Sequence, residues 1–239
     1  MKHKPSGVKT KGIADIIDVK YSSEHWQLLS KLRADALRIM EKLAHHNIQA
    51  ILYGSITRGD VSETSDIDLF IPYQLSSFNV ELALQQEGLS IYGKKIVQAT
   101  PKHLVKAHIY LSEVICVTFP LTSIREREFE FIQFGGSVNL DELKSDNRVP
   151  GVDKRLLLIE PTDEGHRESP VTGFESIVAK KVGVSVGLVR ERVRILTTRD
   201  KVGRTGVYLD FELSLDENID EAFKGLKDKD PIIRRRANQ

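Results

Sequence analysis

The chain has 239 residues, 40% of them hydrophobic and 29% charged, enough for one large core or two small ones and too apolar for wholesale disorder. Lys and Arg (35) balance Asp and Glu (34) to a net charge of +1, so a partner recognised by charge must read a local patch. The one cysteine, Cys116, excludes an intramolecular disulfide and a thiolate metal cluster, and its apolar run Val114–Val117 predicts burial.

No apolar run reaches the length of a membrane span, and the N-terminus lacks the apolar stretch of a secretory signal. A soluble, cytoplasmic protein without a membrane partner is the expectation. Residues 1–21 begin with four lysines, Pro5 and two glycines, the composition of a basic flexible tail. From Ser23 to Asn47, Leu28, Leu29, Leu32, Ala36, Ile39, Met40 and Leu43 recur at three and four, which predicts an amphipathic helix. The run 50–53 reads as a buried strand ending at Gly54, and 65–71 as a second strand with two carboxylates inside it.

Further strands are predicted at 91–99, 106–111 and 114–119, the last two as a hairpin, and a helix at 124–134. The fold class is mixed α/β (α+β), a mixed sheet with flanking helices. Pro150 and Gly151 mark a boundary. Residues 22–150 are then the main domain, 151–213 a small C-terminal domain, and 214–239 a charged tail. In the small domain, 156–159 is apolar, 161–170 reads as a polar loop, and two helical patterns flank Gly183-Val184-Ser185.

Asp66 and Asp68 are two apart in a strand, so they project from the same face while Ile67 points away. Two adjacent anions repel, and a divalent cation is their natural neutraliser. Such oxygen ligands suit Mg²⁺ or Mn²⁺, with water and substrate phosphates completing the shell. Upstream, Gly54 and Ser55 end a strand where backbone can approach a ligand closely, and Arg58 one turn on could grip phosphate in two-pronged fashion. A metal at Asp66 and Asp68 facing a triphosphate at Gly54 and Ser55 is the apparatus of phosphoryl or nucleotidyl transfer.

The string from Gly54-Ser55 through Arg58-Gly59 and Ser65 to Asp66-Ile67-Asp68 resembles the signature of the DNA polymerase β-like nucleotidyltransferase superfamily, particularly its minimal members. The resemblance implies transfer of a nucleoside monophosphate from an NTP to a hydroxyl acceptor with Mg²⁺. Asp66 and Asp68 would be the catalytic metal ligands, and Gly54, Ser55 and Arg58 would hold the nucleotide. Members of the family usually carry a third carboxylate on a later strand. Here 114–120 holds no acid, and Glu113 at its edge reads as a solvated turn residue. An active transferase therefore stands beside two alternatives: a nucleic-acid-binding or regulatory protein on a degenerate transferase fold, and a transferase that modifies a protein acceptor.

Adjacent His45 and His46 diverge by about 100° on a helix and read as C-terminal polar residues interacting with its dipole. Residues 174–196 resemble a helix-turn-helix, with Gly183 at the turn and Ser185 capping the second helix; 202–209 would be a wing, making the module winged-helix-like. From 178 to 206 eight basic residues face two acids, a net of +6. Lys180, Lys181, Arg190, Arg194 and Arg204 are the candidate contacts to nucleic acid, DNA or structured RNA.

Overall fold

The computed structural model describes residues 16–203 and 206–239. The expected tail at 1–15 and candidate contact Arg204 lie outside the described residues. The elements in chain order are β1 (Ile17–Lys20), α1 (Ser23–His45), β2 (Ile51–Tyr53), α2 (Ser55–Arg58), β3 (Ile67–Phe70), α3 (Ser77–Gln86) and β4 (Gly93–Gln98). Next come β5 (Val105–Tyr110), β6 (Ile115–Pro120), α4 (Glu126–Phe134), β7 (Ser137–Val138), α5 (Leu140–Lys144), β8 (Gly151–Val152), β9 (Leu157–Thr162) and β10 (Gly165–Pro170). The remainder is α6 (Glu175–Val182), α7 (Val186–Val202), β11 (Leu209–Leu213), α8 (Ile219–Lys229) and α9 (Pro231–Ala237). The fold is α+β, with mixed strands and flanking helices, as the sequence implies.

The larger sheet has the order β11-β4-β5-β6-β3-β2-β7, and only the β3–β6 pairing is parallel. Alternation gives it two chemically distinct faces. Ile67, Leu69, Val117, Phe119, Ala107, Ile109 and Ile96 point to the helices and join the main core with Leu29, Ala36, Ile39, Met40 and Leu43 of α1. Burying one such Leu or Ile stabilises by roughly 1.5–3 kcal/mol, so this layer dominates the energetics. Asp68, Cys116, Thr118 and His108 occupy the opposite face, where Phe70 packs with Leu104 and Ile132 in a small separate cluster.

α1 starts where the Ser22 side chain accepts the His25 N–H, with Glu24 in the first turn and Lys42 and His45 in the last, all favourable to the helix dipole. Its apolar stripe contains one intruder, Arg33, which is buried. Arg33 donates to the Ile56 and Asn147 carbonyls and pairs with Asp146 at 3.0 Å, fixing α1 under α2. His45 and His46 both lie 3.2 Å from Glu87, so they tie α1 to the end of α3.

A second, antiparallel sheet has the order β1-β10-β9-β8. With α6 and α7 it encloses Val152, Leu156, Leu158, Val171, Val178, Ala179, Leu188, Val189 and Leu196, joined by Phe134 from α4. Four expectations need correction here. Residues 17–20, placed in the N-terminal tail, form β1 and pair with β10. The expected polar loop at 161–170 is the β9–β10 hairpin.

The expected wing at 202–209 runs instead into β11, which is the edge strand of the larger sheet against β4, with Lys95 between Asp210 and Glu212. The expected charged tail at 214–239 is two helices, α8 and α9, whose Ile219, Phe223 and Ile233 enter the main core. The chain thus leaves the first layer near Gly151, builds the second, and returns at Leu209. The physical reason is that charged residues on α8 hide a stripe at Ile219, Phe223 and Leu226 with helical spacing.

Candidate active site

β2 delivers the chain to Gly54, whose φ of 98° and ψ of −151° are closed to residues with a Cβ. A Cβ there would meet nothing within 4 Å, so the constraint is conformational and the turn borders open space. Backbone contacts hold it from behind. Gly54 N–H donates to the Gly136 carbonyl at 3.0 Å, and Thr57 donates N–H and Oγ1 to the Gly54 carbonyl at 3.1 and 2.8 Å. Gly136 is pressed in turn by Gly151, where a Cβ would fall 2.4 Å from the Gly136 nitrogen. Three glycines from three segments therefore allow the close approach that positions the turn.

α2 has four residues, too few for a dipole of weight, so the turn offers an accessible backbone and the half-buried Ser55 hydroxyl. Ser55 Oγ donates to Ser65 Oγ at 3.3 Å, and Ser65 Oγ accepts the Ser62 N–H at 2.9 Å. The loop leading to Asp66 is thereby tied to the Gly54 turn. Asp66 is exposed just before β3, where Ile67 N–H donates to the Val114 carbonyl, and Asp68 is half-buried between Tyr53 of β2 and Cys116 of β6.

Burial pushes the Asp68 carboxyl up to about 6, Asp66 adds to the rise, and Lys154 and Lys106 pull the other way. Among the described residues neither aspartate has an ion-pair partner at contact distance. The donor set fits a divalent ion that takes one or two carboxylates and leaves the rest of its shell to water and phosphate. Asp66 and Asp68 would hold it.

Arg58 does not face this opening. It is 5% exposed, donates through Nε and Nη2 to Asp60 at 2.9 and 2.8 Å, and through Nη1 to the Gly135 carbonyl. Its fork is filled by protein, which corrects the expectation of a phosphate contact and makes it a brace for the turn. Asp60 belongs to a wider polar seam between the two sheets. His166 accepts or donates through Nδ1 to Tyr21 at 2.7 Å, and Tyr21 stacks on His25, whose Nε2 reaches the Gly59 carbonyl at 2.8 Å.

Opposite Asp68, where the family pattern expects a third carboxylate, stands Cys116, with Thr118 two residues on. His108 Nδ1 lies 2.8 Å from Thr118 Oγ1 and 3.4 Å from Cys116 Sγ. Burial pushes the Cys116 thiol up to about 12 and the His108 imidazole down to about 3, so both are neutral and neither supplies an anionic ligand. Glu113 is exposed on the bend between β5 and β6. Among the described residues no three His, Cys, Asp or Glu side chains are grouped to hold a metal.

On the second layer, Lys180, Lys181, Arg190 and Arg194 are exposed, and Lys181 bonds both oxygens of Glu160 at 2.6 and 2.8 Å. Arg192 turns inward, 4.7 Å above the Phe131 ring, where burial lowers its pKa to about 10. Ser185, which caps α7, donates through N–H and Oγ to the Glu130 carboxylate of α4. The start of α7 is thus occupied by protein, and only its flank is open.

Sequence reasoning missed the Gly136–Gly151 contact behind Gly54. No local signal marks it, because the two glycines are far apart in the chain. Among the described residues no helix is long and apolar enough to cross a membrane. Searches of curated proteins and of solved structures return no match. Residues 38–117 match the family model described as polymerase beta, nucleotidyltransferase. That stretch carries the Gly54 turn, both aspartates and the strand order around them, and it supports the polymerase β nucleotidyltransferase superfamily for this part of the chain.

Proposed function

We propose that the protein transfers a nucleoside monophosphate from an NTP to a hydroxyl acceptor, with Mg²⁺ or Mn²⁺ at Asp66 and Asp68. The supporting observation is a half-buried Asp68 on β3 with exposed Asp66 just before that strand, both without ion-pair partners among the described residues, downstream of a glycine turn that borders open space. In this reaction the acceptor oxygen bonds the α-phosphorus as the bond to pyrophosphate breaks, and the acceptor hydroxyl gives up its proton to solvent. A divalent ion supplies, when bound, the charge neutralisation that such transfer requires. Gly54 lets phosphate oxygens approach the backbone, and Ser55 offers a hydroxyl donor. Arg58 serves by holding the turn.

The acceptor in this proposal is nucleic acid, DNA or structured RNA, met by the exposed flank of α7 at Arg190 and Arg194 together with Lys180 and Lys181 of α6. Phosphate contacts of this kind give affinity that falls steeply with salt. A protein acceptor is the alternative within the same chemistry. One observation favours a different reading, a regulatory or nucleic-acid-binding protein of little or no turnover: neutral Cys116, Thr118 and His108 stand where a third carboxylate is expected.

Labelled NTPs, Mg²⁺ and a mixture of tRNA, DNA and cell protein separate these readings. Transfer to any of the three, lost in Asp66→Asn and Asp68→Asn, is the expected result, and the labelled species names the acceptor. No transfer, alongside salt-sensitive nucleic-acid binding, would refute the enzymatic proposal in favour of the regulatory one.

A further inference from the structure

The two sheets end in four edge strands, β11 and β7 on the larger, β1 and β8 on the smaller. β7 and β8 have two residues each and are largely covered, so they are too short to seat another strand. β1 and β11 are longer, and most of their residues are exposed. An open edge presents a row of free N–H and C=O groups to any strand that fits. The charges along each edge decide which strand that is.

Tyr21 N–H donates to the Glu164 carbonyl at 2.9 Å, which extends the β1–β10 register by one pair. Bonded pairs alternate along an antiparallel ladder, so Ile17 and Val19 also turn their backbone groups to β10, while Asp18 and Lys20 turn theirs outward. Among the described residues nothing meets those outward groups. The side chains of Asp18 and Lys20 share one face, where Asp18 bonds Arg167 at 2.7 and 3.2 Å and Lys20 pairs with Glu164 at 2.6 Å. Both ion pairs are exposed, and beside them Ile16 and Ile17 are 67% and 43% exposed.

The outward groups of β1 can meet the β1 of a second copy antiparallel in three registers. One sets Asp18 against Asp18 and another Lys20 against Lys20, and both repel. The third sets Asp18 against Lys20 twice, with Val19 facing Val19 on a two-fold axis and Ile17 facing Tyr21. Across the joined strands the exposed face then runs Arg167, Asp18, Lys20 and Glu164, alternating in sign, so the ion pairs inside each copy are extended and not broken. β11 behaves in the opposite way. Tyr208 N–H donates to the Ala99 carbonyl at 3.2 Å, so by the same count Leu209, Phe211 and Leu213 turn outward. Every antiparallel register centred on β11 then puts Asp210 or Glu212 against an acid of the second copy. Like charges close that edge, as is usual for an exposed strand, whereas β1 carries a pattern that attracts itself.

We propose that β1 is a self-association edge: it pairs antiparallel with β1 of a second copy about a two-fold axis at Val19, joining two four-stranded sheets into one. The axis stands normal to the joined sheet. Glu160, which Lys181 of α6 holds, lies in register with Arg167, so the α6 helices of both copies lie over the same face. One short strand edge is a small contact, and the dimer is accordingly weak and concentration-dependent. The proposal is independent of the transferase reading.

Sedimentation equilibrium of the full chain from about 5 to 500 µM tests it, for wild type, Asp18→Lys, Lys20→Asp and an equal mixture of the two variants. Wild type is expected to dimerise within that range. Each variant alone puts like charges opposite twice across the axis, and its dimerisation is expected to weaken about tenfold or more. The mixture is expected to recover a heterodimer, because two lysines on one strand then face two aspartates on the other. A second readout fixes the register: residues on the axis form a non-bonded pair with Cα atoms about 4.5 Å apart, within disulfide reach. Val19→Cys is therefore expected to give a covalent dimer under mild oxidation and Ile17→Cys to give none, the native Cys116 being buried. A wild type that stays monomeric at about 500 µM would overturn the proposal. So would variants that dimerise as wild type does, a mixture that recovers nothing, or Ile17→Cys coupling as readily as Val19→Cys.

Discussion

Asp68→Asn should make the metal-free protein more stable. The fold raises the Asp68 carboxyl from 3.8 to about 6, through burial first and the Asp66 charge second. At about 1.4 kcal/mol per pH unit, holding this anion costs the native state about 3 kcal/mol at neutral pH. The folded pKa lies above the unfolded one, so the cost is complete above about pH 6, shrinks as pH falls, and is gone below about pH 4, where both states are protonated. An asparagine keeps the shape and carries no charge.

Urea unfolding in EDTA across pH 3.5 to 8 is the assay. The variant should exceed wild type by about 3 kcal/mol at pH 7.5, worth roughly 6–12 °C in a thermal melt of a protein this size, and the two curves should converge near pH 3.5. Added Mg²⁺ should stabilise wild type and leave the variant unmoved. A variant no more stable than wild type at pH 7.5, or a gap unchanged at pH 3.5, would refute the reasoning.

Gly151→Ala should destabilise by about 3 kcal/mol, because its Cβ would meet Gly136 backbone at 2.4 Å and push on the carbonyl that holds Gly54; in contrast Gly225→Ala, on α8 with nothing within 4 Å, should gain up to about 1 kcal/mol. Equal effects in thermal denaturation would contradict this. Arg58→Ala strands the half-buried Asp60 carboxylate and should cost about 3 kcal/mol. An Arg58→Ala protein of unchanged stability and weakened NTP binding would return Arg58 to the phosphate site. Cys116, 7% exposed with its thiol pushed up to about 12, should react with a chromogenic disulfide reagent at pH 8 only after denaturation. Rapid labelling of the native protein would show the β5–β6 face to be open there.

Periodicity and chain chemistry by themselves determined the helix of α1, the strand that carries Asp68, the β5–β6 hairpin and the Gly54 turn. These are local features, in which spacing of apolar residues and the special backbone of glycine act within a few positions. Asp68 lies within β3 and Asp66 one residue before it, so the expectation of a shared face extends strand alternation by one position beyond the strand. Only the tertiary structure decided what surrounds them. Arg58 looked free because its partner Asp60 is two residues away in sequence but reachable only once Gly59 turns the chain, and because Gly135 lies far downstream. Cys116 could be placed opposite Asp68 only by the β3–β6 register. β11, α8 and α9 return to the first core because Ile219, Phe223 and Ile233 find an apolar surface there, a choice made by long-range burial against which local charge gives no warning. The contact of Gly151 with Gly136 behind the Gly54 turn is likewise a product of packing between two layers and not of the order of the chain.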